Sequence, residues 1–505
     1  MATDDRLFGS WAAKQGLGPA CPPPTDADCQ QKPQSWDCGG TSHLLPRERM
    51  RASFEVLKMT NVIDGGAKKT FRRRWLWSEG ERYDNGTNVF ASRAQLVSDH
   101  VERFVGIHKA YAEKGFIPST EDVMVMSNGA RNQGAFGLHF GAFTPTLLSQ
   151  CTPEQMMEWL SPAFNMQIVG CLGQTELGHG SNVRGLQTTA EYDAAAQEFV
   201  LNTPTLRAMK WWPGGLGKTA NFTALYAQLV LGGKELGFHT FIVQLRDERH
   251  RPLPGVTLGE VGPKVGDNMT ETGFLRLRNV RIPRKWMMMK NQRVTEDGRY
   301  VKSSKEASKK MYSTMLSIRA GLVMGAGYRL AQGVTVVARY SCVREQGFRA
   351  GAEAAAGDHP RLAAERPVLD YQVQQLRVFR QLATAYAFVF AGKFIMEKFD
   401  KVKRAMDAGD EDGADLSELP EMHATSAGLK AFCTFTAADG LEDCRKCCGG
   451  HGVLLASGVA QMGTDYKTYV TAEGDRIILE LQSARFLVKS HAAAARGEAQ
   501  PVAFP

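Results

Sequence analysis

Between residues 45 and 162 the apolar positions recur at helical intervals. Val97, Val101, Phe104 and Val105 keep three- and four-residue spacing, with His108 continuing the stripe, which predicts an amphipathic helix. Thr152-Pro153-Glu154-Gln155 predicts a second helix start, with a capping hydroxyl, proline in the first turn and an acid beside it. Near Gln167 the pattern changes. Residues 185–283 carry short β-rich runs: Phe199-Val200-Leu201, Thr223-Ala224-Leu225-Tyr226, Phe241-Ile242-Val243 and Phe274-Leu275-Arg276-Leu277. Gly232-Gly233, Pro254-Gly255 and Gly262-Pro263 supply turns between them. Beyond Lys302 long helical periods return over 311–344, 370–403, 423–444 and 475–495, interrupted by an Ala/Gly-rich stretch at 349–360 and an acidic one at 407–415.

The order is helical, β, helical, without the strand–helix alternation of a dinucleotide-binding unit, so the expected class is α+β. The expected divisions are a poorly ordered or extended segment over 1–44, a helical domain over 45–166 and a β domain over 167–285. A linker over 286–303, a second helical domain over 304–497 and a tail over 498–505 complete the chain. No internal repeat stands out.

Composition narrows the function classes. Of 505 residues, 43% are hydrophobic and 23% charged, the balance of an ordinary globular chain. No apolar run reaches the ~18 residues of a membrane helix. The start, Met1-Ala2-Thr3-Asp4-Asp5-Arg6, lacks the pattern of a secretory leader, so a non-secreted protein is expected. The net charge of +8 admits anionic partners, and the densest basic run is Lys68-Lys69-Thr70-Phe71-Arg72-Arg73-Arg74. A solvated helix face is the ordinary reading of such a run, and the phosphates of coenzyme A are the functional one. One run is too little for a nucleic-acid interface, and no nucleic-acid partner is expected. Ten cysteines in a chain this long are no disulfide scaffold. Cys444, Cys447, Cys448 and His451 have a zinc-like spacing but no evident second ligand pair, so buried thiols and no metal are expected.

Three segments carry candidate chemistry. The first runs Gly170-Cys171-Leu172-Gly173-Gln174-Thr175-Glu176-Leu177-Gly178-His179-Gly180-Ser181-Asn182. The second is Lys210-Trp211-Trp212-Pro213-Gly214-Gly215-Leu216-Gly217-Lys218-Thr219. The third is Cys448-Gly449-Gly450-His451-Gly452, followed by Thr471-Ala472-Glu473-Gly474-Asp475. Gly-Leu-Gly-Lys-Thr echoes a phosphate-binding loop, but Trp212 stands where that motif needs glycine, and no helix is due to follow. Tryptophans beside glycines suit either a flat ligand or a turn packed on the core. Glu473 precedes a helix whose expected N-cap is Asp475. Locally it reads as a partner of the helix dipole or as a carboxylate projecting from a loop.

These segments, in this order and separation, resemble the acyl-CoA oxidases, the flavin-dependent branch related to acyl-CoA dehydrogenases. The resemblance covers about 45–489. It also takes in Gly262-Pro263-Lys264, Arg281-Ile282-Pro283, Arg339-Tyr340-Ser341-Cys342-Val343-Arg344-Glu345-Gln346 and Leu481-Gln482-Ser483-Ala484-Arg485-Phe486-Leu487. It implies an acyl-CoA dehydrogenase-like fold, bound FAD, a homodimer and a peroxisomal location. The implied reaction takes fatty acyl-CoA to trans-2-enoyl-CoA, with dioxygen reduced to hydrogen peroxide. It implies Glu473 as the catalytic base, Thr175 and Gly214 against the flavin, and Arg344 and Gln346 on the FAD phosphate across a dimer interface. Gly449 and Gly450 would lie near the same cofactor. Two other outcomes fit the same motifs: a dehydrogenase serving a protein electron acceptor, and a catalytically impaired structural subunit.

The chain departs from the family pattern in places. Ala472 stands where an aromatic is usual, Asp475-Arg476 where an acid followed by Asn is usual, and 453–470 diverges. The family usually continues into a further helical domain, whereas 16 residues follow Lys489, ending in Ala503-Phe504-Pro505 rather than a Ser-Lys-Leu-type address.

Overall fold

The computed structural model describes residues 56–81, 89–113, 122, 134–302, 313–352, 364–407 and 418–498. The expected extended segment 1–44 lies outside the described residues, as do 353–360 of the Ala/Gly-rich stretch, 408–415 of the acidic stretch and nearly all of the expected tail.

The first part is helical: α1 (Val56–Asp64), α2 (Ala67–Glu81), α3 (Arg93–Glu113), α4 (Thr144–Gln150) and α5 (Pro153–Phe164). The basic run falls on α2. Lys68 and Lys69 are exposed, but Arg72 pairs with Asp122 at 2.6 Å and Arg73 with Asp64 at 2.7 Å, so the run is only partly a solvated face. The expected start of α5 is present as a reciprocal cap, in which Gln155 N–H donates to Thr152 Oγ1 and Thr152 N–H to Gln155 Oε1. The same glutamine amide donates to the carbonyls of Lys285 and Met287. It thereby stitches the helix to the chain leaving the β region.

The β region holds β1 (Gly170–Gly173), β2 (Thr189–Asp193), β3 (Glu198–Asn202), β4 (Lys210–Gly214), β5 (Phe222–Leu231), β6 (Lys234–Gln244), β7 (Val256–Glu260), β8 (Thr272–Leu277) and β9 (Val280–Pro283). Among the described residues, six of them form one sheet in the order β1-β5-β2-β3-β9 with β6 on the other edge of β5. A second sheet runs β4-β8-β7. All four predicted β-rich runs fall on these strands. Gly232 and Gly233, at φ +55° and +78°, make the tight turn between β5 and β6 that the pair predicts. Phe199, Leu201, Leu229, Phe241 and Val243 are fully buried between the layers. Each such side chain contributes roughly 1.5–3 kcal/mol through burial. The stretch 286–303, expected to link, contains a short hairpin of β10 (Gln292–Val294) and β11 (Tyr300–Lys302). It is tied back by Tyr192 Oη donating to the carbonyl of Glu296.

The last part is again helical: α6 (Ser313–Val343), a small hairpin of β12 (Glu345–Phe348) and β13 (Glu365–Pro367), then α7 (Gln372–Asp407), α8 (Leu419–Cys447), α9 (Val459–Thr471) and α10 (Arg476–Ala495). Val323, Leu330 and Val337 of α6 meet Val378 and Phe388 of α7 and Ala437 and Leu441 of α8 in one core. Cys444, Cys447 and Cys448 are packed into it as well, and burial pushes the Cys444 thiol up to about 12.

Candidate active site

Glu473 sits in the short connection between α9 and α10. Its φ of +60° is left-handed, an unusual conformation for a residue with a β-carbon. Gly474 follows at φ +114°, and Asp475 caps α10 by accepting from Ile477 N–H at 2.9 Å, as predicted. Two buried cations hold this corner. Arg319 of α6 donates from Nε to the carbonyl of Glu473 at 3.3 Å, and its Nη1 donates to His423 Nε2 at 3.5 Å. Lys430 of α8 donates from Nζ to the carbonyls of Val470 at 3.0 Å and Gly474 at 2.7 Å.

Burial pushes the Glu473 carboxyl above the ordinary carboxylate range, and the charges of Arg319 and Lys430 pull it only partly back. Burial likewise lowers Lys430 to about 8, opposed by the charge of Glu473. Tyr226 of β5 lies close enough to feel that charge, and burial with Glu473 nearby raises its phenol. The tyrosine oxygen accepts from Gln150 at the end of α4 at 3.4 Å. The acid therefore stands where the second helical part meets the sheet and the first. A carboxylate so placed is a stronger base than one in water.

Thr175 and the Trp-Trp-Pro-Gly segment come together beside β1. Trp211 N–H donates to the carbonyl of Thr175 at 3.0 Å, and Lys210 reaches Glu176. Glu176 accepts from Lys210 Nζ at 3.1 Å, from Thr188 Oγ1 at 2.7 Å and from the N–H groups of Gln187 and Thr188, and bonds His179 Nδ1 at 2.8 Å. Burial alone would raise this carboxyl, but Lys210 and the N–H donors outweigh it and leave it below the ordinary range. The acid of the first motif is thus the anchor of the loop that presents Thr175.

The Thr175 hydroxyl has no hydrogen-bond partner among the described residues. Between Trp211 and Gly214 the pairing of β4 with β8 slips, and Trp212, at φ +86°, is 58% exposed. A β-carbon on Gly214 would stand 2.9 Å from Thr270 Cγ2. The bulge therefore brings bare backbone beside an unsatisfied hydroxyl and an exposed aromatic, a surface suited to a flat heteroaromatic ring. Gly-Leu-Gly-Lys-Thr forms no phosphate loop: β5 follows it, Lys218 pairs with Glu260 at 3.4 Å, and Thr219 N–H donates to Glu271 Oε1.

Arg344, Gln346, Gly449 and Gly450 gather elsewhere, and all four are exposed. Arg344 N–H donates to the carbonyl of Tyr340 at 2.8 Å, and the Tyr340 hydroxyl meets His451 Nδ1 at 3.3 Å, next to the two glycines. Tyr371 Oη donates to the carbonyl of Gln346 at 2.8 Å. A β-carbon at Gly449 or Gly450 would meet nothing within 4 Å. Among the described residues no side-chain hydrogen bond joins this group to Glu473.

Sequence reasoning had not singled out Arg319, Lys430, Tyr226 or Gln150. A signal existed for the two cations. Arg319 follows Leu316 by three positions, and Lys430 sits between Ala427 and Thr434, so each interrupts the buried stripe of its helix.

Two family models match the chain: the acyl-coenzyme A oxidase N-terminal region over residues 55–169 and the acyl-CoA oxidase C-alpha1 domain over 312–488. Peroxisomal acyl-coenzyme A oxidase 1 of Cavia porcellus is 40% identical over 454 residues, covering 88% of this chain and 66% of the relative. The crystal structure of an acyl-CoA oxidase from tomato (Lycopersicon esculentum) superposes with a TM-score of 0.82 at 38% identity, over 91% of this chain and 68% of that one. Acyl-CoA oxidase-2 of Caenorhabditis elegans, bound with FAD, ascaroside-CoA and ATP, gives the same TM-score of 0.82 and 38% identity, again over 91% and 68%. The chain thus spans about two thirds of the length of the curated relatives it matches.

Proposed function

The chain belongs to the acyl-CoA oxidase family, and from that premise we propose that it is an FAD-dependent oxidase of fatty acyl-CoA, working in the peroxisome as a homodimer. The products are trans-2-enoyl-CoA and hydrogen peroxide. The observation that carries this reading is the half-buried Glu473 carboxyl, held in a left-handed corner with its proton affinity raised.

In this reading Glu473 removes the α-proton of the thioester, a step for which a positioned base contributes typically ~10²–10⁴-fold. FAD, when bound, supplies the acceptor for the β-hydride and hands the electrons to dioxygen. The Thr175 hydroxyl and the backbone at Gly214 would hold its ring, and the hydroxyl's lack of a hydrogen-bond partner among the described residues supports that role. The exposed Arg344 and Gln346, with Gly449 and Gly450 beside them, would meet the phosphate part of a cofactor from the other protomer. The partial burial of Glu473 raises the proton affinity of its carboxylate, which suits it to take and hold the α-proton.

The test is an absorbance spectrum of the purified protein with FAD, before and after octanoyl-CoA or palmitoyl-CoA, with peroxide assayed in air. The expected result is a flavin spectrum that bleaches with substrate and yields peroxide. Flavin that bleaches but stays reduced in air would overturn the oxidase in favour of a protein electron acceptor. A chain that takes up no flavin would overturn the enzyme altogether.

A further inference from the structure

Glu473 stands in a conformation that costs free energy, and something must hold it there. We propose that Lys430 is a positioning residue for this base: its ammonium, bonded to the carbonyls of Val470 and Gly474, clamps the backbone on both sides of Glu473 and fixes the left-handed corner. The inference rests on the reading of Glu473 as the proton acceptor.

Lys430 is fully buried in the middle of α8, a placement lysine almost never takes without compensation. Its ammonium donates to two main-chain carbonyls rather than to a carboxylate. Val470 lies in the last turn of α9, whose final carbonyls lack helical partners, and Gly474 immediately precedes the cap of α10. One side chain thus ends one helix, tethers the start of the next and brackets the residue between them. Arg319 adds a bond to the carbonyl of Glu473 itself, from the opposite helix. Without the clamp the corner can relax toward a right-handed conformation, which swings the carboxyl away from β5. Misplacing a reacting group by about 1 Å can cost about 100-fold in rate.

The ammonium also acts on Glu473 as a charge. The charged or titratable groups that feel that carboxyl are Arg319 of α6, Lys430 of α8 and Tyr226 of β5, with His423 of α8 against Arg319 and Asp475 at the start of α10 near Lys430. Lys430 and Arg319 favour its ionised form, so loss of Lys430 makes Glu473 hold its proton more tightly.

The experiment compares Lys430→Met and Lys430→Arg with the unaltered full chain loaded with FAD, using palmitoyl-CoA. Flavin content, kcat, KM and the pH dependence of kcat/KM are measured. The Glu473 carboxyl is titrated separately in flavin-free protein by its infrared difference band against Glu473→Gln. Lys430→Met is expected to bind FAD normally, to lose about 100-fold in kcat with far less change in KM, and to move the carboxyl titration up by about one pH unit. Lys430→Arg is expected to keep the titration at its original pH and to recover part of the turnover. The proposal is overturned if Lys430→Met keeps kcat within about twofold, a tenth or less of the loss expected from misplacement. It is overturned equally if turnover falls while the titration stays where it was, because loss of packing alone gives that pattern. Should Lys430→Met not fold, Lys430→Gln carries the comparison, with a raised titration in support and an unmoved one against. Failure of the functional reading looks different, since the unaltered protein would then not oxidise palmitoyl-CoA while the infrared titration still reported on the clamp.

Discussion

Glu473 shows what a sequence withholds about a single residue. Its neighbours in the chain describe an acid before a helix, and acids there ordinarily serve the helix dipole. Only the family resemblance marks it as a base, and only the fold supplies the reasons: φ of +60°, partial burial, and two cations arriving from helices 154 and 43 residues upstream. Glu473→Gln is expected to retain flavin and lose turnover by ~10²–10⁴-fold, checked by steady-state peroxide release. Unchanged turnover would remove Glu473 from the chemistry. The pH profile has a definite sign. The base must be ionised, and burial holds its proton more tightly than in water. The acidic limb of kcat/KM is therefore expected above the ordinary carboxylate value of 4.5 rather than at or below it. A limb at ordinary values would mean that the carboxyl is solvated during turnover.

At the scale of elements, the strands and helices were the legible part, because alternation and three-to-four spacing are local properties. The start of α5 at Thr152 and the cap at Asp475 appear as their residues predict. What the pattern could not show is how β1 and β4 are joined. Gln-Thr-Glu-Leu-Gly-His-Gly looks like a site motif, yet its Glu176 is fully engaged with Lys210, Thr188, Gln187 and His179. The motif combines one residue facing outward, Thr175, with one that fastens the loop. Glu176→Gln leaves the Lys210 ammonium buried without its counter-charge, a change that costs about 3–5 kcal/mol. A lower melting temperature and weaker FAD retention are expected, even though the Glu176 carboxylate is spent on protein partners. The sign with pH follows from the lowered carboxyl. The Glu176 contribution is present above the unfolded carboxylate pKa and is lost as pH falls through the folded value. The stability gap between variant and original should therefore close in acid. A gap constant with pH would assign the effect to packing alone.

At the scale of the whole molecule, the site depends on how the β region is seated against the second helical part, and there the sequence is silent because the contacts span long separations. Gly262-Pro263-Lys264 was legible as a family motif, but not that the loop it opens docks on α9. Gly266 approaches so closely that a β-carbon would stand 2.1 Å from the carbonyl of Thr464. Asp267 N–H donates to Asp465 Oδ1 at 2.6 Å, across 198 residues of chain, and Thr270 Oγ1 donates to Asp267 Oδ1 at 2.9 Å. Burial raises the Asp267 carboxyl to about 7, with the Thr270 bond and Lys264 lowering it and Asp465 raising it. Its folded pKa thus lies above its unfolded value of 3.8. Between those two values the native state holds a proton that the unfolded chain has released, so the Asp267 contribution to stability falls as pH rises from about 4 to 7. Above that window the penalty remains at its full size. Asp267→Asn removes the titration, keeps an oxygen for Thr270, and suits the left-handed φ of +56°. The variant is expected to exceed the original protein in stability at pH 8, by an amount on the order of a few kcal/mol. That advantage should shrink toward nothing as pH falls to 4. Thermal melts of both proteins across that range measure the difference directly. A variant less stable at every pH would show that the seam between the two parts needs the carboxyl itself, and that its raised proton affinity is no burden on the fold.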